Sequence, residues 1–406
     1  MIWDIVSVGA GAAGLASAIQ AKRHCPKAGV LVIDRLGVPG KKLSVTGNGR
    51  GNIGNTNATP NCYRPVLDGS FLKIFHQIST NELMELYREW GIEPVVDGDL
   101  VYPYSYRAAS VTGAMVSTAN MLGVKFCLDT AVQSVAKKDN IFWLQMPAGK
   151  PIGAKQLVLC CGGRSQKKFG SDGSGFALAK QLGHSWAPLY PALTAVVTAE
   201  GMGALAGVRA DRCRTTLLQG GQPVAEQMGQ VQFADYGLSG IPIMQLCVNP
   251  PAPEEKISLD FMPQYTWGQL TDWLIQRQSG RANLPVKDYL QGVFADPLAQ
   301  YLMQKAGLSA KKMVGELPLS QLQSLCNAIK NSRWTVAKRR GYDFSQVTGG
   351  GIVEDEIDLN GQSKLLPGLF FAGEMLNVAG LCGGYNLRWA FVSGSVAGRT
   401  AAEHIR

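Results

Sequence analysis

Three glycines and one acid near the amino terminus carry the first chemical signal in this chain. Gly9, Gly11 and Gly14 follow directly on a short apolar run (Ile5, Val6, Val8). Asp34 stands twenty residues beyond Gly14, at the end of a second apolar run, Val30 to Ile33. Gly9 permits a tight turn, Gly11 leaves room for a pyrophosphate, and Gly14 lets a helix approach the strand. The helix that opens there, through Ala12 and Ala13, points backbone N–H groups and the positive end of its dipole at an anion. A carboxylate at Asp34, with Arg35 beside it, is placed to accept hydrogen bonds from both hydroxyls of an adenosine ribose. It disfavours a 2′-phosphate, so FAD or NAD fits this pocket and NADP does not. The alternative is an ordinary glycine turn with no ligand.

Two later stretches have the same character. From Gly40 to Asn52 the chain reads GKKLSVTGNGRGN, with Lys42, Thr46, Gly47, Asn48, Gly49, Arg50 and Asn52 in close succession. Glycines, small polar residues and cations in that mixture describe backbone wrapped round a polar ligand, or else a surface loop. Near the carboxy terminus an apolar run, Leu369 to Phe371, ends in Gly373 and Glu374, and Gly383-Gly384-Tyr385-Asn386-Leu387 opens a closing helix. This is a second place where backbone N–H groups and a helix dipole face an acceptor-rich ligand. A simple NAD domain does not need one. A flavin does, because its ribityl chain and ring extend beyond the pyrophosphate.

The totals exclude several other chemistries. Nine cysteines show no CxxC pair and no framework spacing, and only four histidines are scattered along the chain, so no metal site is expected. There is no run of about 20 apolar residues, hence no expected membrane span. The first eight residues carry Asp4 and lack a basic segment, so they do not read as a signal peptide, and the protein is expected to stay in the cytoplasm. Net charge is +9, and Tyr301 to Gly341 holds eight Lys or Arg against one acid, Glu316. That stretch is either a solvated basic face or a site for an anionic substrate, a nicotinamide dinucleotide phosphate or nucleic acid. No nucleic-acid-binding signature accompanies it, so a small-molecule substrate is expected and nucleic acid is not.

The elements that must position these residues follow from periodicity. At 406 residues the chain is long enough for two or three domains. A capping box, Ser79-Thr80-Asn81-Glu82, opens a helix that runs to Gly91, and a further helix spans about Ala108 to Leu122. An alternating stretch from Val124 to Ala148 precedes an apolar strand, Gln156 to Cys161, that ends at Gly162 and returns the chain to the nucleotide sheet. Residues 190 to 253 read as short strands between glycine turns, and Gln264 to about Arg340 as mostly helical, with Trp267, Leu270, Trp273 and Leu274 at helical spacing. Val347-Thr348-Gly349-Gly350-Gly351 reads as a turn, and the closing helix as Arg388 to His404. The expected fold is α/β. A discontinuous Rossmann-like FAD-binding domain (1–189 and 341–406) carries an inserted β-rich subdomain (190–253) and a small helical subdomain (254–340).

Four motifs in order make a family resemblance specific over essentially the whole chain: GAGAAGL, GKKLSVTGNGRGN, SDGSGFALAKQLGH followed by PALTAV, and VTGGG followed by GLFFAGEMLNVAG and GGYNLRWAFVSGSVAG. Together they resemble bacterial NAD(P)/FAD-dependent oxidoreductases often labelled the aminoacetone oxidase family. That family includes a bile-acid 4,6-reductase and is related to the glutathione-reductase and fumarate-reductase FAD fold. The resemblance implies that Gly9, Gly11, Gly14 and Asp34 hold the ADP half of FAD, and that Val132 gives backbone contacts to adenine. It implies that Lys42, Thr46, Gly47, Gly49, Arg50 and Asn52 line the path from pyrophosphate to flavin. Gly373 and Glu374 would meet the ribityl or phosphate region, and Gly384, Tyr385, Asn386 and Leu387 the ring. Two positions depart from the family pattern. Gly51 stands where the family usually has a cysteine, and Arg388 where glutamine commonly follows GGYNL. Cys382 is a candidate replacement thiol or covalent attachment point, although non-covalent FAD is the expectation.

The function expected on these grounds is an FAD-dependent oxidoreductase. Its leading reaction is NAD(P)H-linked reduction of an activated C=C, as in an enone, through flavin N5. Because no second GxGxxG marks a separate nicotinamide domain, the donor is expected to share the substrate cavity. The alternatives are a flavin-dependent oxidase of an amine or other small molecule, and a non-catalytic FAD-binding sensor. Tyr104, Tyr236 and Tyr385 are phenols in plausible places, yet no catalytic acid or base is identified. Oligomeric state is undetermined.

Overall fold

Ile5, Val6, Ser7 and Val8 are buried on both faces, which is why the first strand reads as a continuous apolar run rather than an alternating one. That strand, Ile2–Val8, pairs in parallel with Val30–Ile33 on one side and with Ile152–Leu159 on the other. Lys125–Cys127 extends the sheet beyond Val30–Ile33, also in parallel. Leu369–Phe371 pairs in parallel with the second half of Ile152–Leu159, whereas Ile141–Gln145 pairs antiparallel with its first half and carries Ser134–Lys138 outward. The meander expected before the buried strand is therefore present, and the chain does return to the nucleotide sheet.

The computed structural model describes residues 1–405. They form two compact units, one from Met1–Ala192 together with the chain from Tyr342 onward, the other Leu193–Gly341. In the first unit, the helices Ala12–His24 and Tyr385–Glu403 pack backbone against backbone. Gly394 faces the main chain of Ala13, and Gly398 that of Ser17, so a side-chain carbon at either glycine would overlap the facing helix. The small residues of the closing helix thus serve close approach.

Three elements differ from the sequence expectation. Val347–Ile352 is a buried strand, not a turn, and pairs antiparallel with Trp186–Ala192. The glycines are there because the Tyr190 ring lies over Gly349, the Pro188 carbonyl faces Gly350, and the Leu376 backbone faces Gly351. The closing helix begins at Tyr385, three residues before the expected Arg388, because Gly384 takes the left-handed conformation (φ 90°) and starts it early. In the second unit, the stretch expected to be helical to about Arg340 holds the helices Trp267–Ser279, Asp296–Lys305 and Leu319–Lys330 and then turns into a strand, Ser332–Arg339. That strand pairs with Lys256–Asp260 and Val196–Thr198 to close a six-stranded barrel with Arg209–Gln219, Gln222–Ala234 and Gly237–Ser239. The helices share one apolar core with the barrel (Leu270, Leu274, Leu325 and Ile329 with Val231, Ile257 and Trp334), so residues 254–340 do not stand apart as a helical body.

Candidate functional site

The glycine turn is shaped by its neighbours. A side-chain carbon on Gly14 would strike the Gly9 carbonyl oxygen, and one on Gly9 (φ 107°) would strike the backbone of Cys160. Gly11 differs: nothing lies within 4 Å of the position its side chain would take. It is the residue before the first helical turn, and it offers no side-chain cap. The amides of Ala12, Ala13 and Gly14 therefore begin the helix facing open space, the arrangement an anion fills. Cys160 braces the turn from below, its thiol 3.2 Å from the Val8 carbonyl and 3.4 Å from that of Gly9. Burial, reinforced by the Asp34 charge, pushes the neighbouring Cys161 thiol up to about 12. Both cysteines read in sequence only as core residues.

Asp34 sits at the edge of this turn. Its Oδ2 accepts from the Ala10 amide at 2.6 Å and its Oδ1 from the Leu36 amide at 2.8 Å. Each oxygen retains a lone pair for a ribose hydroxyl. Arg35 is held in an ion pair with Asp172, whose other oxygen accepts from the Ser174 amide. Thr130 donates its amide to the Asp34 carbonyl at 2.9 Å, and half-buried Val132 follows two residues on, packed against the core. Gly162 (φ 74°) leaves the adjacent strand end against Ser171.

The 40–52 loop joins the second motif through one carboxylate. Lys42 Nζ lies 3.0 Å from Glu374 Oε2, and Glu374 Oε1 accepts from the Thr348 amide at 2.8 Å. Thr348 Oγ1 accepts in turn from the amides of Arg164 and Ser165. Glu374 thus ties together four separate segments. Thr46 donates its hydroxyl to the Leu43 carbonyl at 2.8 Å, and Gly47, Asn48 and Gly49 follow in left-handed conformations (φ 57°, 54° and 84°). Arg50 is engaged elsewhere. Its guanidinium lies 4.8 Å and 4.9 Å from the ring centres of Tyr102 and Tyr106 and 3.9 Å from Asp97.

Gly373 lies against Ala13, where a side-chain carbon would come within 2.9 Å of the alanine methyl. The second motif is thereby set at the start of the first helix. Gly383 (φ 118°) and Gly384 lead into the closing helix, whose first turn has no side-chain cap and no acid. Beside Gly384 is Asn52 Oδ1, a buried acceptor with no partner; a side-chain carbon on Gly384 would sit 2.6 Å from it. Asn386 does not face a ligand through its amide, which clamps Gly380 at 2.8 Å and 2.9 Å. Leu387 packs on the core. Burial, then the charge of Cys62 and a hydrogen bond with its thiol, push the Tyr385 phenol up to about 12, so it stays protonated near neutrality. Burial likewise takes the Cys382 thiol up to about 12, which leaves it a poor nucleophile. Cys62 was not singled out in the sequence, where it lies among unremarkable turn residues.

Register places the two open helix starts relative to one another. The helices meet with Gly394 beside Ala13 and Gly398 beside Ser17, so they run parallel. Tyr385 precedes Gly394 by nine residues and Ala12 precedes Ala13 by one, so the closing helix begins eight residues further out. At 1.5 Å per residue the two starts are offset by about 12 Å along the axis. Asn52 Oδ1, a buried acceptor without a partner, lies at the outer start. The residues present fit FAD on these grounds. Among the described residues, no group of three or more His, Cys, Asp or Glu is placed to hold a metal, and no helix is long and apolar enough to cross a membrane.

A sheet with a parallel centre, a glycine turn and a second glycine-started helix at this offset define a Rossmann-type flavoprotein. The chain belongs to the HI0933-like protein Rossmann domain family, whose pattern matches residues 3–400, and is a flavin-dependent oxidoreductase. It is 32% identical over 404 residues to the 3-dehydro-bile acid delta(4,6)-reductase of Clostridium scindens, with 98% of each chain covered. It is 29% identical over 404 residues to the ribosomal RNA dihydrouridine synthase of Escherichia coli K12, with 96% of each covered. Among solved structures, the open conformation of a flavocytochrome c3 fumarate reductase aligns with a TM-score of 0.51 at 16% identity, over 100% of this chain and 78% of that one. The 3-ketosteroid-delta4-(5alpha)-dehydrogenase of Rhodococcus jostii RHA1 aligns with a TM-score of 0.50 at 16% identity, over 99% and 97%. These two likenesses concern the fold alone.

Proposed function

We propose that this chain is a reductase of a C=C bond conjugated to a carbonyl, with non-covalent FAD and a nicotinamide dinucleotide as electron source. The observation that carries it is the pair of uncapped helix starts, offset by about 12 Å, with an unpartnered acceptor, Asn52 Oδ1, at the outer one. Bound FAD would supply hydride transfer at N5. Gly11 and the first helical turn would hold its pyrophosphate, Asp34 its adenosine ribose, and Val132 its adenine. Lys42, Glu374 and Gly373 would stand along the ribityl chain, and Gly383, Gly384 and Tyr385 at the ring. Cys382, with its thiol kept protonated by burial, supports non-covalent attachment.

Two relatives support the C=C chemistry. One is named for reducing a bile acid, the other for making dihydrouridine, and a uracil C5=C6 bond is conjugated to a carbonyl just as a steroid enone is. They also define two substrate readings. A small hydrophobic enone is the first. A uridine in ribosomal RNA is the second, and the net charge of +9 favours it.

The test is anaerobic addition of NADH, then NADPH, to flavin-loaded protein, followed by a 3-oxo-4,6-diene steroid or by ribosomal RNA lacking dihydrouridine. Bleaching by a nicotinamide and reoxidation by one of the two acceptors is the expected result. Peroxide release with an amine would make the protein an oxidase, and a flavin inert to every donor would make it a sensor. Protein that takes up no flavin on reconstitution would defeat the proposal outright.

A further inference from the structure

Arg388 is 2% exposed, within the first turn of the closing helix. Its Nη2 donates to the Ile78 carbonyl at 3.3 Å, and its guanidinium carbon lies 4.9 Å from the centre of the Phe75 ring. Its Nε and Nη1 have no partner. It joins none of the ion pairs among the described residues. Buried charges are ordinarily paired, and a guanidinium cannot shed its proton to escape the cost of burial. The charge therefore stays, and it acts through a medium that screens it weakly.

The surroundings do nothing to neutralise it. The phenols it faces, Tyr63 and Tyr87, are kept protonated by burial, although the Arg388 charge pulls each the other way. Trp389 and Phe391 complete an apolar, aromatic setting. The link to the site is short. Tyr63 donates its hydroxyl to the Tyr385 carbonyl at 3.2 Å, and the Arg388 amide bonds the Gly384 carbonyl at 3.0 Å, the first hydrogen bond of the helix. Gly384 is the residue beside the orphaned Asn52 Oδ1. The helix dipole at this start has the same sign as the guanidinium, so the two add.

We infer that Arg388 sets the reduction potential of the bound flavin: an uncompensated buried cation behind the outer helix start favours the electron-rich state of whatever ring lies there. This rests on the flavin reading above. Arg388 touches neither substrate nor cofactor on this account; it acts through the field it adds to the helix start.

The experiment is a reductive titration of the flavin-loaded protein against a reference dye, for the wild type, R388Q and R388M. R388Q removes the charge and keeps a polar side chain. Its ratio of reduced to oxidised flavin at a fixed potential is expected to fall about tenfold, a shift of 29.6 mV for a two-electron couple. R388M also removes the charge and keeps an unbranched chain, so its ratio is expected to fall by the same amount within about twofold. A wild-type midpoint in R388Q or R388M overturns the inference, and so does a fall confined to one of them, which would make shape rather than charge the cause. Should R388Q not fold, R388M decides alone: a tenfold fall supports the inference and a wild-type midpoint overturns it. Wild-type protein without bound flavin would defeat the functional proposal and this inference with it. A bound flavin with an unmoved midpoint defeats the inference alone.

Discussion

Two pairs of helices in this protein start differently. Thr80–Glu89 and Trp267–Ser279 begin with reciprocal caps: Ser79 Oγ accepts the Glu82 amide while Glu82 accepts the Ser79 amide, and Thr266 and Gln269 do the same. Ala12–His24 and Tyr385–Glu403 begin at glycines that cap nothing. Each of the first pair satisfies one orphan donor of its first turn, and the amide of the capping residue, from within the chain. The second pair leave those donors exposed, a local cost that only an external acceptor offsets. What separates these two pairs is a side-chain oxygen withheld.

The largest effect should come from breaking the contact that aligns the two open starts. Gly394→Val places side-chain atoms in the Ala13 backbone, and a loss of about 3 kcal/mol or more of stability together with flavin retention is expected, read by urea denaturation and absorbance. Unaltered stability would mean that the helices part freely. Next, Asp34→Ala should weaken flavin binding by about 1.5–3 kcal/mol in a fluorescence titration of the apoprotein. Full affinity would remove Asp34 from the site.

Converting one kind of start into the other sharpens the contrast. Gly11 has open space and an extended backbone, so Gly11→Ser supplies the missing cap. The flavin-free protein should gain a few tenths of a kcal/mol. Flavin affinity should drop about tenfold, roughly 1.4 kcal/mol, because the new hydroxyl occupies the amides a phosphate needs. Ser79→Ala makes the opposite change at a structural helix, with about 1 kcal/mol of stability lost and flavin affinity untouched.

The smallest effect is a pH dependence. Hydrogen bonds with the Ser79 side chain and amide hold the Glu82 carboxyl below its usual range. A carboxyl lowered by folding contributes stability that is complete above its unfolded pKa, about 4.3 for glutamate, and is lost as pH falls through the lower folded value. Glu82→Gln should flatten that acid limb in denaturation curves. The glycine starts have no acid in the first turn and should contribute no such limb.

Some of this was legible in the sequence and some was not, for local reasons. Gly9, Gly11, Gly14 and the spacing to Asp34 announce the first start because every element of that unit lies within thirty-four residues. Val347–Ile352 looks like a turn because the ring that requires its glycines, Tyr190, is far away in the chain. Ser332–Arg339 is concealed by the helices before it, and its place is set by strands such as Val196–Thr198 that no local pattern names. Arg50 has a place on the path from pyrophosphate to flavin only through the family resemblance, and the rings of Tyr102 and Tyr106 lie beside it instead. Arg388 carried a signal only as a departure from the family pattern, and its burial gives that departure physical content.

The contact of Gly394 with Ala13 has one more consequence. Two bare backbones in touch form a length standard: the number of residues between Gly384 and Gly394 fixes how far the outer start projects beyond the inner one. Adding or removing one helical turn there would move that start by about 5.4 Å, with every glycine of both motifs still in place. The cofactor that such a variant measured out would be the wrong size, although no residue that touches it had changed.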